Sequence, residues 1–214
     1  MAPTEKNDGS VFVAEWEQHN RPARIVTFGH FYPQGKVGAA KSLVRETNPQ
    51  GYNAGSEDAA KVQDHVAWTR LINALSQERQ WPIKKLFALL NPMLEADIAI
   101  AVVPPHRAYQ AFWPMRTLAQ KLAAEGRIDA TSCLVRHTTI RRIIFGGPSS
   151  RALHRETIQI ENAQLIQNRR VLLLDDIAKS GASLVTCREM LLEAGATVVQ
   201  AVALGRVLVE REQA

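Results

Sequence analysis

Residues 171–183, Val-Leu-Leu-Leu-Asp-Asp-Ile-Ala-Lys-Ser-Gly-Ala-Ser, constrain the fold of this chain more than any other stretch. The apolar run Val171–Leu174 has the composition of a strand buried on both faces, as in a parallel sheet. Such a strand carries Asp175 and Asp176 to its C-terminal end, where open α/β sheets bind ligands. A turn of small residues follows. A helix over Ala182–Ala194 comes next, with Gly195 to close it. Unpaired N–H groups at a helix start attract phosphate. Gly181 lets the backbone approach closely, Ser180 and Ser183 add hydroxyls, and Lys179 adds a positive charge. The two carboxylates would repel a phosphate, so they need other partners: sugar hydroxyls, or a divalent cation carried by the ligand. Ordinary capping of a strand–turn–helix unit is the plainer alternative, but it requires fewer of these groups.

The neighbouring segments have the same grammar. Ile98–Val103 is a near-continuous apolar strand, a helix spans roughly Arg116–Glu125 before Gly126, and Cys133–Arg136 and Thr197–Leu204 are further strands. Strands alternating with helices indicate an α/β fold with a parallel sheet. A soft boundary near residue 96 divides this 97–214 core from a mostly helical region, 1–96. In that region the spacing predicts a helix over about 56–79, carrying Val62, Val66, Thr69, Ile72 and Leu75, and a second from Pro82 to Asn91-Pro92. Val11–Trp16 and Arg24–Phe28 are short β-rich runs, and glycines and prolines between His30 and Gly55 mark a loop.

The 171–183 segment resembles the phosphoribosyl pyrophosphate (PRPP) signature of type I phosphoribosyltransferases. The wider likeness covers about residues 97–206 and is closest in layout to ComF-like members, although this chain lacks the cysteines of their N-terminal zinc ribbon. The resemblance implies a phosphoribosyltransferase-type, Rossmann-like sheet with residues 1–96 as a hood. It implies that Asp175 and Asp176 contact the ribose hydroxyls. It also implies that Ala178, Lys179, Ser180, Gly181, Ala182 and Ser183 hold the 5-phosphate, and that Mg²⁺ arrives with PRPP near the two aspartates rather than in a protein cage. Lys179 stands where 6-oxopurine enzymes of the family carry an acid, which argues against a hypoxanthine or guanine acceptor. It resembles instead the loop of the purine repressor of Gram-positive bacteria, which binds PRPP without catalysis.

Pro104, Pro105, His106 and Arg107 follow the Ile98–Val103 strand. By the same resemblance, Val103–Arg107 forms the pyrophosphate loop, often strained in the family, with Arg107 as a catalytic cation able to pair with phosphate oxygens. A proline-rich strand exit with a solvated arginine is the plainer alternative. Residues 136–155 are rich in Arg and His, with Gly146-Gly147-Pro148 in the middle. They resemble a mobile flap in which Arg141, Arg142 or Arg151 meets the departing pyrophosphate. A nucleic-acid contact or a solvated basic loop are the alternatives.

The formal net charge of +5 fits an anionic partner. No apolar run approaches a membrane span, and the polar Met1–Ser10 start is unlike a signal peptide. Cys133 and Cys187 alone make no disulfide framework and suit a reducing cytoplasm. Gly35–Ser42 only partly matches a P-loop, since Ala40 replaces the second glycine. The six histidines lack metal-ligand spacing, and the four tryptophans form no evident stacking platform.

Together these features predict a cytoplasmic enzyme that moves the 5-phosphoribosyl group of PRPP to a nitrogen nucleophile and releases pyrophosphate. Homo-oligomerisation is expected from the resemblance. The alternative is a non-catalytic PRPP- or nucleotide-sensing regulator or effector whose basic surface meets nucleic acid or a partner protein. Nucleic acid is the less favoured of the anionic partners, and the acceptor is not legible.

Overall fold

The computed structural model describes residues 25–28, 30, 31, 57–141 and 150–207. In chain order the elements are β1 (Val26–Thr27), β2 (His30–Phe31), α1 (Glu57–Ser76), α2 (Gln80–Leu90), β3 (Ala99–Val102), α3 (Pro114–Ala123), β4 (Ile128–Asp129) and β5 (Leu134–Arg136). They continue with α4 (Arg151–Thr157), β6 (Ile158–Ile160), β7 (Arg170–Ala178), α5 (Ala182–Glu193) and β8 (Val198–Val207). The main sheet runs β1-β8-β7-β3-β4, with β2 also on β8, and every pairing in it is parallel. The fold is therefore α/β with a parallel sheet, as the sequence predicts. β5 and β6 pair antiparallel in a separate ribbon.

Alternation along β7 explains the layering. Leu172 and Leu174 enter one core with Ile98, Ile100, Val102, Leu118 and residues of α1 and α2. Val171 and Leu173 enter the other, with Leu184, Cys187 and Leu191 of α5. All four residues of Val171–Leu174 are 0–1% exposed, and burying each such side chain is worth about 1.5–3 kcal/mol. This double burial makes the run continuous rather than alternating in hydropathy.

The strand order also fixes where a ligand can sit. From β3 the chain passes through α3 to β4 at one edge. From β7 it passes through α5 to β8 on the opposite side. The helices lie on opposite faces, since Leu118 of α3 belongs to the first core and Leu184 of α5 to the second. β3 and β7 thus flank a topological switch point, where their two outgoing loops diverge and leave a crevice.

Several boundaries differ from expectation. β7 runs on through Asp175, Asp176, Ile177 and Ala178, because β8 continues beside it to pair Asp175 with Ala203 and Ala178 with Arg206. The aspartates therefore lie within the strand, and the turn shrinks to Lys179–Gly181. α2 starts at Gln80, two residues ahead of Pro82, and Asn91-Pro92 tightens into a 3₁₀ turn. α3 starts earlier than expected, at Pro114, whose missing N–H is not needed there. β1 and β2 come from the N-terminal region yet extend the core sheet, and α1 and α2 pack in its first core. Val11–Trp16 and the Gly35–Ser42 segment lie outside the described residues, as do the side chains of Val62 and Val66.

Candidate functional site

The carboxyl edge of β7 carries the strongest cluster. Asp175 and Asp176 are half-buried. Asp175 Oδ1 accepts the Asp176 N–H at 2.9 Å, and Asp176 Oδ1 accepts the Ile177 N–H at 2.7 Å. The Ser183 hydroxyl donates to Asp175 Oδ2 at 3.3 Å, tying the first turn of α5 back to the strand. Desolvation of the Asp175 carboxyl, followed by the charge of Asp176, raises its pKa well above the usual carboxylate range; the Asp176 N–H and Ser183 hydroxyl oppose that rise. Two acids in one pocket resist being ionised together. Hydroxyl donors or a cation arriving beside them would relieve this repulsion.

The turn that follows is built for close backbone approach. Gly181 has φ +78° and caps α5, so the capping residue itself offers no side chain to the first turn of that helix. A Cβ on Gly181 would lie 2.8 Å from Ile25 Cδ1 and push that side-chain end aside, while the left-handed backbone is what favours glycine here. Ser180 Oγ accepts the Ala182 N–H at 3.3 Å. Lys179 and Ser180 are exposed. Ala178 closes the strand, whereas Ala182 and Ser183 open the helix, so the predicted phosphate-binding stretch spans three kinds of local structure.

The loop after β3 leaves the sheet beside Asp175. The Val103 N–H donates to Leu174 O at 2.9 Å, directly before Asp175. Pro104 and Pro105 contribute no N–H, so His106 and Arg107 are the loop's first backbone donors after Val103. The segment contains no cis peptide, and its positive φ falls later, at Tyr109 (φ 49°). His106 O accepts the Ile140 N–H at 2.9 Å, and the Ala108 N–H donates to Thr139 Oγ1 at 3.0 Å. Arg107 is exposed and unpaired among the described residues.

One residue expected in the basic flap is instead buried. Arg136, at the end of β5, is only 3% exposed. Its Nε donates to Pro105 O at 2.7 Å and its Nη1 to Thr157 Oγ1 at 2.6 Å; Nη2 lies 3.4 Å from His154 Nδ1. It staples the β3 loop to the β5–β6 ribbon. Desolvation lowers its pKa, and the nearby Cys187 and Asp175 oppose that shift. Arginine is so seldom buried that a basic run in a sequence reads as surface.

The predicted basic flap is divided among different roles. Arg136 and His154 are buried, whereas Arg151 and Arg155 pair with Glu189 and Glu193 of α5. These two pairs clamp α4 along α5. Arg141 is exposed at the end of the described segment, and Arg142 lies outside it. The structure therefore brings Asp175, Asp176 and Ser183 together, sets Pro104–Arg107 alongside, and holds Arg151 against α5.

No protein-family model matches the chain, and no curated protein matches its sequence. Among solved structures it is similar to a purine phosphoribosyltransferase from Pyrococcus horikoshii Ot3. That match has 16% identity, covers 70% of this chain and 91% of the other, and has a TM-score of 0.30. Among the described residues no helix is long and apolar enough to cross a membrane.

Proposed function

We propose that this chain binds PRPP at the β3/β7 switch point and transfers its 5-phosphoribosyl group to a nitrogen nucleophile, releasing pyrophosphate. The observation that carries this reading is the Asp175–Asp176 pair, tied to Ser183 and followed at once by the Gly181 turn into α5. A sugar bearing a phosphate matches that order of groups. Its hydroxyls donate to the aspartates, and its 5-phosphate accepts from backbone N–H groups, Ser180 and Lys179.

The chemistry needs little from the protein beyond placement and charge. Breaking the anomeric C–O bond leaves positive charge on the sugar and negative charge on the leaving pyrophosphate. Asp175 and Asp176 hold the ribose and face the developing cation. Arg107, exposed on the neighbouring loop, meets the developing anion. Clamping the ribose and phosphate at two points fixes the anomeric carbon relative to the nucleophile.

The donor set fits Mg²⁺, which binds one or two carboxylates together with substrate phosphates. It would arrive on PRPP and lie near Asp175 and Asp176, and among the described residues no group of three or more His, Cys, Asp or Glu forms a protein cage for it. When bound, it would supply charge neutralisation at the pyrophosphate oxygens.

Incubation with PRPP, Mg²⁺ and a panel of nucleobases, read as pyrophosphate release, tests the transfer. Release that requires both PRPP and one acceptor is expected. Saturable PRPP binding without turnover on any acceptor would replace catalysis with sensing, which the lysine at position 179 also suits. Absence of PRPP binding would overturn both.

A further inference from the structure

Beyond the β7 edge the chain has a second concave site. A cleft of about 220 Å³ adjoins the β3 loop and is lined by Pro105, Arg107, Tyr109, Trp113, Arg116 and Glu161 among others, and by neither aspartate nor any residue of 178–183. Two features set it apart from ordinary surface. The first is a fixed cation; Glu161 also lines the cleft but forms no ion pair with it among the described residues. Arg116 Nε donates to Thr131 Oγ1 at 3.3 Å and Nη1 to Ala111 O at 2.9 Å, and its guanidinium carbon lies 5.5 Å from the centroid of the Trp113 ring. These contacts hold the guanidinium plane and leave Nη2 without a hydrogen-bond partner among the described residues. No carboxylate pairs with Arg116 or Arg107 there.

The second feature is aromatic. Phe112 is 86% exposed and Tyr109 is 68% exposed. Both belong to the segment that leads into the cleft, and neither is a loose tip. The Tyr109 N–H donates to Arg136 O at 2.9 Å, and Gln110 Nε2 donates to Phe112 O at 3.0 Å. The scattered tryptophans of the sequence conceal this arrangement, in which Tyr109 and Trp113 line one cleft with Arg107 and Arg116, while Phe112 is exposed between them in sequence and does not line it.

Flat rings next to fixed guanidinium groups suit a planar heterocycle attached to a phosphate. A volume near 220 Å³ is below the roughly 300–1,000 Å³ of pockets that enclose whole ligands. It accommodates a base, with the phosphate at the rim. We infer that this cleft is a second ligand site and that it takes an unpaired nucleotide, its base against Tyr109 and Trp113 and its phosphate at Arg116. The nucleotide can be free or part of a single strand, since both present the same groups.

The test uses the full chain carrying Asp175→Asn and Asp176→Asn, so that the outcome is independent of the proposed phosphoribosyl site. Thymidine 5′-monophosphate and an oligothymidylate are titrated separately, read by tryptophan fluorescence and calorimetry. Saturable binding of at least one is expected, weakened about tenfold or more by Tyr109→Ser and again by Arg116→Gln. The Tyr109 side chain is exposed and its bond to Arg136 O comes from the backbone N–H, so its substitution leaves the fold intact, which the melting temperature checks. Comparable affinity for the mononucleotide and the oligomer identifies a free nucleotide as the ligand. Binding of the oligomer alone identifies a single strand. No binding of either, or undiminished binding in either variant, overturns the inference.

Discussion

Lowering the pH should destabilise this protein through one buried side chain. His154 is 1% exposed, and its Nδ1 lies 3.4 Å from Arg136 Nη2. Arginine only donates, so Nδ1 accepts and the neutral ring carries its proton on Nε2. Nε2 is buried with no hydrogen-bond partner among the described residues. Protonation would place a second buried cation beside Arg136. Desolvation, and then the Arg136 charge, accordingly lower the His154 pKa from 6.5 to about 4. Unfolded chains bind this proton below about pH 6.5, but the folded chain does so only near pH 4, so stability falls as pH drops through that window. At about 1.4 kcal/mol for each tenfold change in proton affinity, the loss comes to about 3 kcal/mol. Carboxylates titrate in the same range, so the comparison is with His154→Gln, which can still accept from Arg136 but does not titrate. Urea unfolding at several pH values from 7.5 to 4 should show the wild type losing about 3 kcal/mol relative to the variant. Parallel pH profiles, or a His154 NMR titration centred near the ordinary histidine value, would refute the reasoning.

Gly181→Ala should cost about 1–2 kcal/mol for its left-handed backbone alone, and it should also weaken phosphate-ligand binding, because the new Cβ forces Ile25 aside; chemical denaturation and PRPP titration read the two effects. Arg136→Ala should cost about 3 kcal/mol or more, since three contacts of a buried guanidinium disappear and the β3 loop loses its staple; a loss under 1 kcal/mol in urea unfolding would contradict that role. Arg151→Ala should cost less than about 1 kcal/mol, because its pair with Glu189 is exposed. If turnover in that variant nevertheless fell more than tenfold, Arg151 would have to leave Glu189 during the reaction.

Legibility in the sequence followed the strength of local signals. Val171–Leu174 and Ile98–Val103 could be read as strands because both faces are buried and the apolar runs are unbroken. Gly126 and Gly195 mark helix ends through positive φ, which their composition already suggests. The end of β7 could not be read, because residues 175–178 become strand only through β8 running beside them. β1, β2 and β4 are two-residue pairings that depend on the neighbouring strand rather than on their own sequence. The short helix α4 was hidden by its basic composition, and Arg136 was hidden because its burial depends on Pro105, Thr157 and His154, distant in sequence. For the site itself, the acids and the Gly181 turn are local and visible. The tie from Ser183 and the approach of the β3 loop are tertiary.

The central claim is that the β7 acids and the turn after them hold a sugar phosphate. Calorimetric titration of PRPP with Mg²⁺, on the wild type and on the Asp175→Asn, Asp176→Asn variant, measures this directly. Saturable binding to the wild type is expected, with loss of that affinity in the variant and a melting temperature that stays level or rises once two repelling carboxyls are gone. Equal affinity in both proteins would contradict the claim.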